Sequence, residues 1–282
     1  MVLATPASLQ PLVELIGAVN AVLPTPRLGP LAAAGAVDVA VNLHGRGPQS
    51  HAVLQECDPS RLVAFGAAGV RGPVWRADEH EVTRWCRLVT EAFGAACRTD
   101  DLLLRRPAVT APLGGAVVVH PGAASESRRW PASRFAEVVA ALTRAELPVV
   151  VTGTAEEEPL ARDVAAAAGL PGEAVLAGRT SLLELAALVS EARLVISGDT
   201  GIAHLASAFR RPSVVLFGPV SPALWGPPRR PEHAVLWHGD SHGDPHADEV
   251  DPALSSISTT EVLAAAQRQI GTSAPTAAVG GD

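Results

Sequence analysis

The 282-residue sequence has no lysine and no tyrosine, so all 22 of its basic side chains are arginines. With abundant alanine, glycine and proline, this pattern reflects a GC-rich coding bias and carries no functional signal. Positive charge is outweighed as well. The 29 acidic residues leave a net charge of −7, which excludes the basic face of a general nucleic-acid binder. Cysteine is scarce: Cys57, Cys86 and Cys97 are odd in number and lack CxxC spacing, which argues against a disulfide framework and fits a reducing cytoplasm. The opening stretch "MVLATPASLQPLVELIGAVN" lacks a basic leader, and Pro11 and Glu14 interrupt its apolar residues, so no signal peptide is expected. No run approaches roughly 18 uninterrupted apolar residues, so no transmembrane helix is expected. A basic amphipathic helix is lacking too, which leaves at most peripheral membrane contact.

What is present is a core-forming chain, 48% apolar and long enough for one large domain or two ordinary ones. In its second half, apolar strands alternate with helices. The strands are "AVVVH" (116–120), "PVVVTG" (148–153), "AVLAG" (174–178), "RLVISG" (193–198) and "SVVLFG" (213–218). The helices between them include "PASRFAEVVAALTRA" (131–145), opened by Pro131 where a missing N–H costs nothing, and "SLLELAALVSEA" (181–192), with Ser181 and Glu184 as a capping box. Continuous apolar strands between helices predict a parallel sheet covered on both faces over residues 116–220, in a domain that extends to 258. Residues 1–107 predict a second, less regular α/β domain. It has a helix over Leu9–Val22, strands at 37–43 and 61–65, and an amphipathic helix at 79–94 with Trp85 and Leu88 on its apolar face. Residues 108–115 form a Pro- and Gly-rich linker, 259–270 a terminal helix, and 271–282 a frayed tail.

Two loops carry chemistry. "SGDTGIAH" (197–204) follows a strand and enters a helix, which places it at the carboxyl edge of the sheet, where ligands of open α/β sheets sit. Gly201 allows a tight turn, the first helical N–H groups favour an anion, and Thr200 adds a hydroxyl. His204 lies one turn later on the same face. This is a diphosphate cradle, or else Asp199 simply caps the helix and His204 is a satisfied core histidine. "HPGAASESRRWPASRF" (120–135) also joins a strand to a helix and offers small residues, a serine pair, Arg128 and Arg129. Arginine grips phosphate bidentately, so this is a second anion loop or a solvated charged one.

Together these segments resemble glycosyltransferase family 9, the heptosyltransferases. The matching motifs are "PGAASESRRWP", "TGTAEEE", "GRTSLLEL" and "DTGIAHLASAFRRPSVVLFGPVSPALWGP", which cover roughly residues 116–265. The resemblance implies an α/β fold of GT-B type, with two Rossmann-like doubly wound domains facing a cleft. It places Asp199, Thr200, Gly201 and His204 on the donor and Arg128 at the donor diphosphate. Ala123 and Ala124 stand at donor-side positions often hydroxylic in the family. Glu157 is the match for the ribose-holding acid, with Glu156 and Glu158 as alternatives, and Thr180 falls near the base. The family's opening strand, Gly-Asp loop and helix have no match here, so the N-terminal domain reads as truncated. Either the start lies too far downstream or the usual general-base Asp is absent.

The implied reaction is inverting, metal-independent transfer of a heptose-like sugar, with no cofactor. The donor is a nucleotide diphosphate sugar, ADP-sugar foremost, and the acceptor is a cell-envelope or other glycan hydroxyl, lipid-linked acceptors included. "NLHGRG" and "DEHEV" supply the acceptor-side residues His44, Arg46, His80 and Glu81. His44, His80 and Glu81 are the candidate bases, with His44 first; a loop histidine bonding its own backbone is the plainer alternative. Two other functions fit the same motifs: a catalytically impaired nucleotide-sugar-binding protein, and a nucleotide-sugar epimerase on the same fold. His238, His242 and His246 have zinc-ligand chemistry, but Gly243 and Pro245 forbid a helix that would align them, so no metal site is expected. Trp85 and Trp130 are expected to pack, not to serve as sugar platforms.

Overall fold

The computed structural model describes residues 1–26, 28–31, 35–240 and 243–272. The chain divides into two compact units at Leu102/Leu103. This lies ahead of the linker expected at 108–115. Leu104 N donates to Ala208 O at 3.2 Å and Gly115 N to Glu191 O at 3.0 Å, so the intervening segment is tied to the second unit.

The first unit runs β1 (Val2–Thr5), α1 (Gln10–Ile16), β2 (Ala21–Pro24), β3 (Val39–Val41), α2 (Gln49–Gln55), β4 (Arg61–Val63) and α3 (Glu81–Phe93). The helix expected over Leu9–Val22 stops at Ile16, because Gly17 takes φ +72° and turns the chain into β2. β1 pairs in parallel with β2, and β3 in parallel with β4, as two separate two-stranded sheets. A small core joins Val63, Phe65 and Leu88, with the rings of Trp75 and Trp85 at 5.0 and 5.7 Å from that of Phe65. Trp85 is thus a packing residue, as expected.

The second unit contains β5 (Val117–His120), α4 (Ala132–Arg144), β6 (Val149–Val151), α5 (Glu158–Ala167), α6 (Leu182–Glu191) and β7 (Leu194–Gly198). It continues with α7 (Gly201–Ala208), β8 (Ser213–Leu216), α8 (Pro222–Trp225), β9 (His233–Leu236), α9 (Pro252–Ser256) and α10 (Thr259–Thr272). The tail beyond Thr272 lies outside the described residues. Its five strands are all parallel, in the order β6-β5-β7-β8-β9. The strand expected at 174–178 shrinks to one bridge, Val175 to Val151, because Gly178 leaves the extended region at φ +69°. β9 carries no strong sequence signal, since this edge strand is only partly buried.

Counting Val175, the sheet reads third, second, first, fourth, fifth, sixth in chain order, the arrangement of a dinucleotide-binding Rossmann sheet. Val117, Val118 and Val119 are fully buried, as are Leu194, Val195 and Ile196, which explains the unbroken apolar runs. The strand order reverses between β5 and β7. The crevice beyond their carboxyl ends is therefore where a ligand can enter without crossing a connection.

Candidate functional site

Both loops singled out in the sequence open on that crevice. The segment after β5 carries Arg128 in a short 3-10 turn (Glu126–Arg128). Trp130 anchors the segment from below: it is 2% exposed, meets Phe135 edge-on at 5.0 Å and donates from Nε1 to Ile257 O at 3.0 Å. The Arg128 guanidinium donates to the backbone carbonyl of Asp199, just past β7, and lies 3.4 Å from the Asp199 carboxylate. Burial pushes the Asp199 carboxyl above the usual range, and the charges of Arg128 and His204 pull against that rise.

Thr200, not Asp199, is the N-cap of α7, and its side chain makes no cap bond. The Thr200 hydroxyl is buried and has no hydrogen-bond partner within the protein. Open space surrounds Gly201, where an added Cβ would meet nothing within 4 Å. His204 is exposed one turn along. The plainer reading of this loop, a capping aspartate and a core histidine, is therefore not what the chain builds.

Glu157 stands on the other side of β5. Its Oε2 accepts from Thr154 N at 2.9 Å and lies 3.9 Å from His120 Nε2. Neither acidic neighbour shares this setting. Glu158 pairs with Arg162 at 2.6 Å, and Glu156 is exposed. A Cβ on Gly122 would overlap the Glu157 carboxylate, so a side chain there would displace that carboxylate from beside the β5 loop. His120 was not anticipated as a site residue. It ends β5, bonds Thr152 Oγ1 through Nδ1 at 3.1 Å, and burial pushes its pKa down while Glu157 opposes. Its position as the polar end of a central apolar strand was the available signal.

The remaining donor-side candidates sit at the same edge with less distinct roles. Ala123 is buried and its carbonyl accepts from Arg129 Nε at 3.0 Å, while Ala124 is exposed. The serine pair is engaged within the protein: Ser125 Oγ donates to Pro245 O and meets Ser127 Oγ at 3.2 Å. Thr180 is half-buried and precedes the Ser181 cap; nearby Gly178 N bonds Gly153 O at 3.1 Å, which brings this loop against the Glu157 loop.

In the first unit, His44 and Arg46 are exposed on the loop after β3. Asn42 shapes that loop, accepting from His44 N at 2.9 Å and donating to Gly45 O at 3.2 Å and Ser50 Oγ at 2.8 Å. His80 caps α3, with Nδ1 accepting from Val82 N at 3.2 Å. Glu81 accepts from Trp85 Nε1 at 2.8 Å and pairs with Arg84. Those two side chains are thus engaged in holding α3, whereas the His44 imidazole is presented to solvent. His238 pairs with Glu261 at 2.8 Å, His242 lies outside the described residues, and among the described residues no three potential ligands converge on a metal position.

Comparison with known proteins gives a consistent likeness. Residues 70–253 match glycosyltransferase family 9 (heptosyltransferase). Lipopolysaccharide heptosyltransferase 3 of Escherichia coli is 31% identical over 157 residues, 54% of this chain and 46% of that protein. The matched part thus spans about half the length of such relatives. Among solved structures, a family 9 glycosyl transferase from Veillonella parvula superposes with a TM-score of 0.77 at 18% identity, covering 96% of this chain and 88% of that one. The E. coli heptosyltransferase WaaC with ADP gives 0.68 at 19% identity, covering 94% and 89%.

Proposed function

From the premise that this chain belongs to glycosyltransferase family 9, we propose that it moves a sugar from a nucleotide diphosphate sugar to an acceptor hydroxyl, with inversion at C1. Its fold is of GT-B type, with Rossmann-like domains. The observation that carries the proposal is the crevice between β5 and β7, where a charged guanidinium, a buried unpartnered hydroxyl and the open N-terminus of α7 share one edge. A diphosphate satisfies all three.

As the C1–O bond breaks, negative charge grows on the departing diphosphate. Arg128 and the amides at Thr200 and Gly201 stabilise that charge, in the manner of an oxyanion hole. These groups take the role a divalent metal would otherwise fill. Glu157 holds the ribose and Thr180 borders the base. Ala123 and Ala124 let the diphosphate approach the backbone, and His204 flanks the cradle. His44 accepts the proton of the acceptor hydroxyl, with Arg46 beside it; His80 and Glu81 belong to the acceptor side through the α3 terminus. The E. coli relative solved with ADP and the lipopolysaccharide relatives favour an ADP-heptose-like donor and a cell-envelope glycan acceptor. The reading places the protein in the cytoplasm with at most peripheral membrane contact. Among the described residues, no helix is long and apolar enough to cross a membrane.

Calorimetric titration with ADP, UDP, GDP and dTDP tests the site. Selective binding of ADP, weakened in Arg128→Ala, supports the proposal. No nucleotide binding by the folded chain, or undiminished binding in the variant, refutes it.

A further inference from the structure

The carboxyl end of β5 is built around a gap. The side chains of His120 and Glu157 are 12% and 13% exposed, and His120 Nε2 faces Glu157 Oε2 at 3.9 Å. That separation is too long for a hydrogen bond, and among the described residues no protein group bonds Nε2. Both sides of the gap are pinned. On one side His120 Nδ1 meets Thr152 Oγ1, just past β6, at 3.1 Å. On the other, Glu157 Oε2 accepts from Thr154 N at 2.9 Å, with the bare backbones of Gly122 and Gly153 against the Glu157 side chain. Burial pushes the His120 pKa down, so the ring is neutral at pH 7 and carries one N–H. Thr152 Oγ1 lies 3.4 Å from Val119 O and closer, at 3.1 Å, to His120 Nδ1. With the hydroxyl proton in the shorter contact, the ring N–H sits on Nε2 and points across the gap.

We propose that His120 is a second ribose-reading residue: one hydroxyl of the nucleotide ribose fills this gap, accepting from His120 Nε2–H and donating to the Glu157 carboxylate. The inference rests on the reading that Glu157 holds the ribose, and it adds a residue and a selectivity to that contact. A donor and an acceptor 3.9 Å apart are bridged by one oxygen that both accepts and donates, and a hydroxyl is such a group. An ether or carbonyl oxygen cannot donate, and an ammonium cannot accept. Without the hydroxyl, a shielded N–H and a shielded carboxylate oxygen are left facing each other unbonded. A site built in this way rejects a deoxy analogue more strongly than a single exposed contact would. His120 thereby makes the crevice selective for ribonucleotides over deoxyribonucleotides.

Titration calorimetry with ADP, 2′-deoxy-ADP, 3′-deoxy-ADP and inorganic pyrophosphate tests this. The parent chain should bind one of the two deoxy nucleotides about 20-fold more weakly than ADP. His120→Phe keeps a planar ring and loses the N–H. Its ratio should fall to about fivefold, through weaker ADP and little change in the deoxy form. Pyrophosphate should bind to it as to the parent, which a merely displaced β5 loop would not allow. His120→Gln carries an amide N–H about as far as Nε2 and should recover part of the lost ratio. Where His120→Phe does not fold, His120→Asn decides in its place, since its shorter amide meets Thr152 but does not reach the gap. A parent ratio retained in the Phe or Asn variant, while Glu157→Ala weakens ADP, would overturn the role of His120 and leave the ribose reading standing. ADP bound equally well by Glu157→Ala and the parent would instead overturn that reading, and this inference with it. Equal binding of all three nucleotides by the parent would overturn the proposed selectivity outright.

Discussion

The guanidinium of Arg128 is held by Asp199 through two acceptors, the backbone carbonyl and the carboxylate at 3.4 Å. The contact ties the loop after β5 to the loop after β7. It also keeps a cation partly buried and ready for an anion. Replacing Arg128 by alanine should raise the Kd for ADP by about 10- to 100-fold, the worth of a charge-assisted hydrogen bond. Lysine should recover only part of this, because it cannot reach two acceptors in one plane. Titration calorimetry measures both, and an Arg128→Ala variant that binds ADP as the parent does would remove Arg128 from the site.

Asp199 should give the fold a pH signature. Its carboxyl pKa is raised by burial, against the pull of Arg128 and His204. The protonated form is therefore favoured by folding. That stabilisation is full below the ordinary value of about 3.9 and is lost as pH rises through the higher folded value. At neutral pH the fold thus carries a carboxylate it disfavours. Asp199→Asn should raise the Tm at pH 7 by about 2–4 °C for each kcal/mol relieved. The gap should close as pH falls toward 4. Scanning calorimetry across this range decides it: a gap independent of pH, or a lower Tm at pH 7, would show that another term dominates.

The second unit was legible because its strands are buried on both faces. Val117–Val119 and Leu194–Ile196 wrote continuous apolar runs, and the loops after them held the residues that the structure brings together. The first unit was legible only in part. β1 is four residues long and half exposed, so it has no period to detect, and Gly17 ended α1 inside an apolar stretch that otherwise continued. The orphan hydroxyl of Thr200 and the place of His120 beside Glu157 were hidden for another reason. Both depend on what lies nearby in space, which no spacing along the chain encodes, although the polar end of an apolar strand did mark His120 itself.

Gly122 and Glu157 should act as one unit. An alanine methyl at 122 would occupy the place of the Glu157 carboxylate and drive it away from its bond to Thr154 N. If Glu157 holds the ribose as proposed, Gly122→Ala and Glu157→Ala should each weaken ADP by about tenfold while leaving inorganic pyrophosphate little changed. The double variant should be no worse than either single one, because both remove the same interaction. Additive losses would show that the two positions serve separate purposes.

Thr200 separates binding from stability. Its buried hydroxyl has no partner in the protein, so it costs the fold the desolvation of a polar group and gains nothing from it there. Thr200→Val keeps the shape and β-branching and removes only that cost. The variant should melt at or above the parent temperature. If a diphosphate oxygen is the partner that the hydroxyl lacks, the same change should weaken ADP by about 5- to 10-fold, the worth of one hydrogen bond of about 1 kcal/mol or slightly more. A more stable protein with poorer nucleotide binding is the combination that a ligand-facing hydroxyl requires. Lower stability with unchanged binding would instead assign Thr200 to the helix terminus alone, and the cradle would then rest on Arg128 and the α7 amides.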